Sequence, residues 1–414
     1  MAGLLAFVES NLTGTGVQAI TLAKEQGLRL AFLTADLDRY RVDPVAFDTI
    51  TGEVEHVLAC DTTDPVAVEK CLRDNGLQPD GLMTVMEYYV PVVAAAASAL
   101  GLPGLSPRAA RTARDKLATR TVCAAAGVPV PRFRYVGELS EVDGALAEVG
   151  LPCVVKPVDE SASIGVTLCR TREQVVARIT ELAGRTANSK GQATRPGGLV
   201  EECLFGHEVS VEVFAHDGRT VVLGVTDKLL GATPHFLELG HTFPSVLPAA
   251  VTDAAVGVVR AALDAIGFDF GPAHVEVKLT PRGPVLIEIN ARTGGDFIPD
   301  LVGNALGVPL LARSITAHTG GAPDLEPRWR RGSAIRFIGG RAGTVTSVSG
   351  VDDLAEHFPE VVGHRVKVGP GATTRWPTNS HERLGYVITA ADTPAEAAVA
   401  ADAALAHLAI GFAD

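Results

Sequence analysis

The chain has 414 residues, of which 47% are hydrophobic, 20% charged and 5% aromatic, and it carries a formal net charge of −12. That length suits roughly two to four domains and a large core. The acidic balance disfavours nucleic acid and anionic membrane as partners.

The opening MAGLLAFVES lacks a charged leader region, and no run of about 18 apolar residues follows it. A cytoplasmic, non-membrane protein is therefore expected. The cysteines (Cys60, Cys71, Cys123, Cys153, Cys169 and Cys203) are scattered without a C-x-x-C pair, so buried thiols are expected rather than a zinc site or disulfide framework.

The first hundred residues alternate strand and helix. Leu4 to Val8 reads as a strand, followed by a turn containing Gly14 and Gly16 and a helix to about Gln26, with Gly27 as its C-terminal cap. Leu28 to Thr34, Val54 to Ala59 and Gly81 to Val85 read as further strands, with a helix between Asp64 and Asn75. This rhythm predicts a parallel sheet flanked by helices. Ser106-Pro107 is a helix start, and the spacing predicts one helix from there through Lys116 to about Ala126. Strands are expected at Cys153 to Pro157, Val166 to Cys169, Leu199 to Leu204 and Glu208 to Ala215. A helix is expected from about Thr171, a mobile polar loop over Thr186 to Gly198, and a long helix over Val251 to Ile266. A fresh mixed α/β pattern after Gly332 places a domain boundary near Ala322.

The segment HVEVKLTPRGPVLIEINAR, residues 274–292, predicts a hairpin. Alternation puts His274, Glu276 and Lys278 on one face, and Glu288 and Asn290 on one face of the return strand with Val285, Ile287 and Ile289 opposite. A turn centred on Arg282 sets Glu276 across from Glu288. Facing like charges destabilise a strand pair unless a cation lies between them. Two carboxylates and an amide oxygen are hard ligands that suit Mg²⁺ or Mn²⁺. The bland alternative is a surface hairpin with solvated acids.

Lys156 ends an apolar strand before DESASIGV, a loop whose backbone N–H groups and Ser161 and Ser163 hydroxyls can cradle phosphate around Gly165. No Walker A sequence is present. Lys116 in RDKLATR and Lys228, expected just after a strand, gain meaning only by converging on the same polyphosphate. LVEECLFGHEV offers Glu201, Glu202 and Leu204 at a strand end for an adenine edge, and Glu208 for ribose hydroxyls. An edge strand with exposed acids is the plain alternative.

In this order, DKLATR, VVKPVDESASIGV, LVEECLFGHEVSVE, VTDKLLG and HVEVKLTPRGPVLIEINARTGGD resemble the ATP-grasp superfamily over roughly residues 108–318. The resemblance implies an N-terminal parallel-sheet domain (1–107), a two-subdomain ATP-grasp core (108–321, lid about 128–200) and a C-terminal α/β domain (322–414). It implies phosphate contacts from Lys116, Lys156 and Lys228, and adenine held by Glu201 and Leu204 with ribose at Glu208. It also implies two divalent ions on Glu276, Glu288 and Asn290, with Arg292 steadying an acyl phosphate. The loop Asp159 to Gly165 holds fewer glycines than the family pattern.

VESNLTGTG, VMEYYVPVVAAAASALGLPG, LGHTFPS, SAIRFI and RLGYVITA further resemble carboxylate–amine ligases of bacterial secondary metabolism, including L-amino-acid ligases. The expected chemistry is activation of a small carboxylate by ATP and capture by an amine, under a lid formed by 159–165 and 186–198. Glu87 is a candidate partner for a substrate ammonium, and His241 for acyl contact or base chemistry. Rival readings keep the ATP half but transfer to a carrier-protein thiol or a hydroxylamine or hydrazine nitrogen, or carboxylate a biotin or purine precursor. Others are a non-catalytic nucleotide-binding module and a nicotinamide enzyme, which lacks its G-x-G-x-x-G here. A homodimer is the base-rate assembly.

Overall fold

Capped helices punctuate the apolar runs of the N-terminal segment. The computed structural model describes residues 2–11, 15–231, 237–377 and 379–413, so Gly14 of the expected first turn lies outside them. Strands β1 (Leu4–Val8), β2 (Arg29–Thr34), β3 (His56–Ala59) and β4 (Gly81–Met83) form a parallel sheet in the order β3-β2-β1-β4. Helices α1 (Thr15–Glu25), α2 (Pro44–Glu53) and α3 (Pro65–Asp74) connect the strands. Helix α2 was not among the expected elements, although Asp43 caps it by accepting from Ala46 N and Pro44 opens it. A 3₁₀ turn over Glu87–Tyr89 leads into α4 (Val90–Leu100), a largely buried Ala-rich helix.

The single helix expected after Ser106 is two, α5 (Pro107–Arg114) and α6 (Lys116–Ala125). Asp115 takes an extended conformation, and its carboxylate accepts from Ala118 N at 3.0 Å, capping a new helix where the apolar period had suggested continuity. Lys116 thereby becomes the first residue of α6.

Strands β5 (Phe133–Val136), β6 (Cys153–Lys156), β7 (Thr167–Cys169) and β8 (Gly198–Glu202) make a second sheet, β5-β8-β6-β7. It is backed by α7 (Val142–Val149) and α8 (Arg172–Ala183), with their own small core. β8 ends at Glu202, two residues short of the expected Leu204.

The third sheet has eight strands. It contains β9 (His207–His216), β10 (Arg219–Leu230), β11 (Glu238–Phe243), β12 (Gly271–Thr280), β13 (Gly283–Asn290) and β14 (Gly332–Ile338). Two later strands join it, Val361–Val366 and Gly385–Ala391. Lys228 therefore lies within β10 rather than after a strand. Helix α9 (Ala249–Ile266) covers one face, burying Val209, Val211, Val225, Val275 and Val277 against Val259 and Leu263. Helices α10 (Ile298–Leu306) and α11 (Leu310–His318) follow β13, and the boundary expected near 322 falls in the connection from α11 to β14. The sheet runs across it, because β14 pairs directly with β11.

The hairpin β12–β13 pairs Glu276 with Glu288 by a route the simple count did not foresee. The turn is tighter than expected, with Thr280 opposite Gly283, and a bulge after Glu276 restores the register. The bulge also reverses one expectation: Leu286, not Ile287, packs in the core beside Ile289, and the Ile287 carbonyl is free to accept from Arg120 at 2.6 Å.

Replacing Asp115 with Ala should remove the cap that separates α5 from α6 and lower stability by about 1 kcal/mol. Urea denaturation of Asp115→Ala against the parent measures this.

Candidate active site

Cross-strand pairing puts a single polar face on four adjacent strands. Lys228, Glu208 and Lys278 form one rung; Thr226, Ser210, Glu276 and Glu288 form the next; Glu212, His274 and Asn290 form the third. Period-two alternation drives the opposite side chains into the core under α9. His241 pairs with Lys228 across β10–β11 and carries the polar face one strand further.

Glu276 and Glu288 oppose each other, and each has its own lysine. Lys228 Nζ lies 3.0 Å from Glu276, 2.8 Å from Glu208 and 3.1 Å from Glu238. Lys116 Nζ lies 2.6 Å from Glu288 and donates to the Glu160 carbonyl at 2.6 Å. Burial works against the Lys228 charge, but the three carboxylates outweigh it and hold its pKa well above the ordinary value. Burial likewise pushes Glu276 upward, but Lys228 and His274 overcome it and keep the acid well below the usual carboxylate range. His274, pinned at 3.0 Å to the buried Glu212, is raised to about 9: burial opposes the charge, and Glu212 and Glu276 more than offset it.

Asn290 is buried and its Oδ1 receives only a long 3.5 Å contact from Arg292 among the described residues. Its oxygen and the carboxylates of Glu276 and Glu288 are a hard donor set whose charge the lysines balance, and this fits Mg²⁺ or Mn²⁺.

Lys156 points to Glu201 at 2.6 Å, and Glu201 also takes Arg120 Nε at 2.7 Å. Burial and the neighbouring cations lower the Lys156 pKa even though Glu201 attracts its charge. The Glu201 side chain is thus occupied by two cations, and its backbone sits between β5 and β6. Residues 203–206, between β8 and β9, have backbone outside the sheets, and Cys203 and Leu204 come first after the strand. Glu202 turns to Arg132 at 3.3 Å and Arg282 at 2.6 Å, away from Lys156. Glu208 bridges Lys228 and Lys278.

The 159–165 loop obtains its curvature without the glycines the family pattern supplies: Ala162 and Ser163 both take left-handed backbone (φ 54° and 58°) before Gly165 at 78°. Ser161 Oγ donates to Glu87 at 2.7 Å, so that hydroxyl faces Glu87. Glu87 is 5% exposed and meets Arg292 at 3.1 Å and Arg114 at 3.5 Å. Burial raises its pKa, but the two arginines and Lys116 outweigh that and hold it below the ordinary range. Glu87 therefore stands as the partner of Arg292.

His241 Nε2 is 3.5 Å from Asp296, and its buried Nδ1 has no hydrogen-bond partner among the described residues. Asp296 is also gripped by Arg383, at 2.7 Å, and both Asp296 and Phe297 have left-handed backbone. Such strain collects at functional sites. Arg114, Arg120, Glu238, Asp296 and Arg383 were not among the expected site residues. Arg120 was visible as the fourth residue after Lys116 on one helix face, and Arg383 opens the RLGYVITA segment.

Comparison with known proteins accords with this geometry. Residues 20–104 match an ATP-grasp N-terminal domain, 149–300 an ATP-grasp domain, and 336–413 an L-amino acid ligase C-terminal domain 2. The chain is 32% identical over 358 residues to the uncharacterized protein y4rH of Sinorhizobium fredii, covering 86% of this chain and 73% of that one. It is 32% identical over 324 residues to carnosine synthase 1 of Gallus gallus, covering 74% of this chain but only 34% of that longer protein. Its fold matches the crystal structure of an L-amino acid ligase from Bacillus licheniformis with a TM-score of 0.80 at 22% identity, covering 100% and 99% of the two chains. The fold and these matches define an ATP-grasp protein. The chain belongs to the carboxylate–amine ligases of that family, ATP-dependent enzymes that form carbon–nitrogen bonds.

Glu201→Gln should leave Lys156 and Arg120 buried without their counter-charge and cost about 3–5 kcal/mol. Chemical denaturation measures this, and a loss under about 1 kcal/mol would mean that the cluster is solvated.

Proposed function

We propose that the chain joins a small carboxylic acid, such as an amino acid, to an amine through an acyl phosphate, releasing ADP and phosphate. One observation carries this reading: Glu276 and Glu288 face each other between Lys228 and Lys116, with Arg292 two residues beyond Asn290. Binding alone would not call for the arginine.

Glu276, Glu288 and Asn290 are the residues we assign to two divalent ions, which when bound would neutralise the nucleotide's phosphate charge. Lys116, Lys156 and Lys228 draw on the γ-phosphate as the substrate carboxylate oxygen attacks it and ADP leaves. Positioning and electrostatics do most of the work in phosphoryl transfer. The amine nitrogen then attacks the acyl carbon, the carbon–oxygen bond to phosphate breaks, and the nitrogen gives up a proton. Arg292, held by Glu87, stabilises the oxyanion of the tetrahedral intermediate. The Nδ1 of His241, without a partner among the described residues, supports a role for it in accepting that proton or orienting the acyl group. Leu204 and its neighbours at the end of β8 offer backbone groups to adenine, and Glu208 an acceptor to ribose. The loops 159–165 and 186–198 exclude water. The likeness to a carnosine synthase supports the same reading.

Glu288→Ala should abolish substrate-dependent ADP release, measured in a screen of paired amino acids and small carboxylates; full activity would reject the site. Arg292→Ala should still bind ATP in calorimetry but yield no ligated product by mass spectrometry. Chelating divalent ions should stop ADP release, and added Mg²⁺ should restore it.

A further inference from the structure

Both lid loops meet the N-terminal domain at one side chain. The Tyr88 hydroxyl donates to Glu160 Oε2 at 2.9 Å, accepts from Ser161 N at 3.2 Å and lies 2.9 Å from Ser189 Oγ. Its backbone carbonyl accepts from Gln192 Nε2 at 3.1 Å. Glu160 and Ser161 belong to the 159–165 loop, and Ser189 and Gln192 to the 186–198 loop. Glu160 is 1% exposed and also accepts from Ser189 N and Ser189 Oγ, each at 2.9 Å, and from Arg185. Burial pushes its pKa up, but the Arg185, Ser189 and Tyr88 donors prevail and keep it below the usual carboxylate range.

A buried carboxylate that loses some of its donors is left partly unsatisfied, which is costly in a low-dielectric interior. Opening the 186–198 loop would take the Ser189 donors from Glu160, and opening the 159–165 loop would break its bond to Tyr88. Arg114 packs over the Tyr88 ring at 4.5 Å and donates to the Asp159 and Glu160 carbonyls, so the ring is fixed from behind. The residue before Tyr88 is Glu87, which holds Arg292 on one side and the Ser161 hydroxyl on the other. The lid junction and the pair that handles the acyl group are thus adjacent residues of one 3₁₀ turn.

We propose that Tyr88, acting through Glu160 and Ser189, is a positioning residue that ties closure of both loops to the Glu87–Arg292 pair, so that water is excluded while the activated acyl group is present. This rests on the reading under Proposed function. Its role is to raise the share of acyl phosphate that reaches the amine rather than water.

Two variants test it. Tyr88→Phe keeps the ring under Arg114 and removes only the hydroxyl, and Ser189→Ala removes the loop-side partner from a surface residue. Two quantities are measured on each folded variant: the rate of tryptic cleavage after Lys190 in the chain alone, and ligated product formed per ADP released. Loss of one to two hydrogen bonds to a buried charge should speed cleavage about tenfold and lower product per ADP about fivefold. Wild-type cleavage rates in both variants would overturn the junction. Faster cleavage with an unchanged product-to-ADP ratio would overturn the coupling to chemistry. If the parent chain releases no ADP with any substrate pair, it is the ligase reading that fails, and the cleavage rates still decide the junction by themselves. Should Tyr88→Phe not fold, Ser189→Ala carries the same two readouts.

Discussion

Two carboxylates forced face to face across a strand pair set the terms for the rest of the molecule. Glu276 and Glu288 sit on neighbouring strands of a sheet whose other face is solid hydrocarbon, so neither can rotate away. Their repulsion has to be answered locally. Lys228 answers it from β10 and Lys116 from the start of α6, and these cations come from segments far apart in the chain. The broken helix at Asp115, the bulge after Glu276 and the fold-over of the lid sheet all serve to bring opposite charges to that place.

The same logic spreads outward. Glu201 neutralises Lys156 and Arg120, and Arg120 in turn donates to the carbonyl that the bulge exposes beside Glu288. Glu87 neutralises Arg114 and Arg292. Buried ion pairs of this kind add little net stability compared with apolar packing. Their value is that they hold cations, preorganised and dry, where a polyanion and a developing oxyanion would need them.

Much of this was legible in the residues. Alternation along HVEVKLT and VLIEIN revealed which side chains share a face, because a half-buried strand leaves no freedom on that point. The parallel N-terminal sheet was readable because each strand is a short apolar run ended by polar turn residues. What escaped was set by single local events. Asp115 ended a helix because its carboxylate competes for backbone N–H groups, which periodicity does not register. The bulge exchanged Leu286 for Ile287, since one inserted residue flips every side chain after it. The pairings of Glu201 and Glu87 could not be read from spacing, because Arg120, Arg114 and Arg292 meet them only through tertiary folding. Ala162 and Ser163 took a left-handed backbone usually left to glycine, so a glycine count underrated the 159–165 loop.

The eight-stranded sheet has a mechanical meaning. Because β14 is hydrogen-bonded along β11, and Arg383 from beyond it clasps Asp296 beside His241, the last fifth of the chain forms part of the wall of the proposed site rather than an appendage to it. Cutting it away would bare the edge of β11 and leave a strained aspartate without its counter-charge. One hydrogen-bonded slab thus backs the proposed site, with the smaller β5-β8-β6-β7 sheet beside it. Differences in what such enzymes accept should then reside in the loops along the slab's rim, where side chains can change without disturbing the hydrogen-bond lattice behind them.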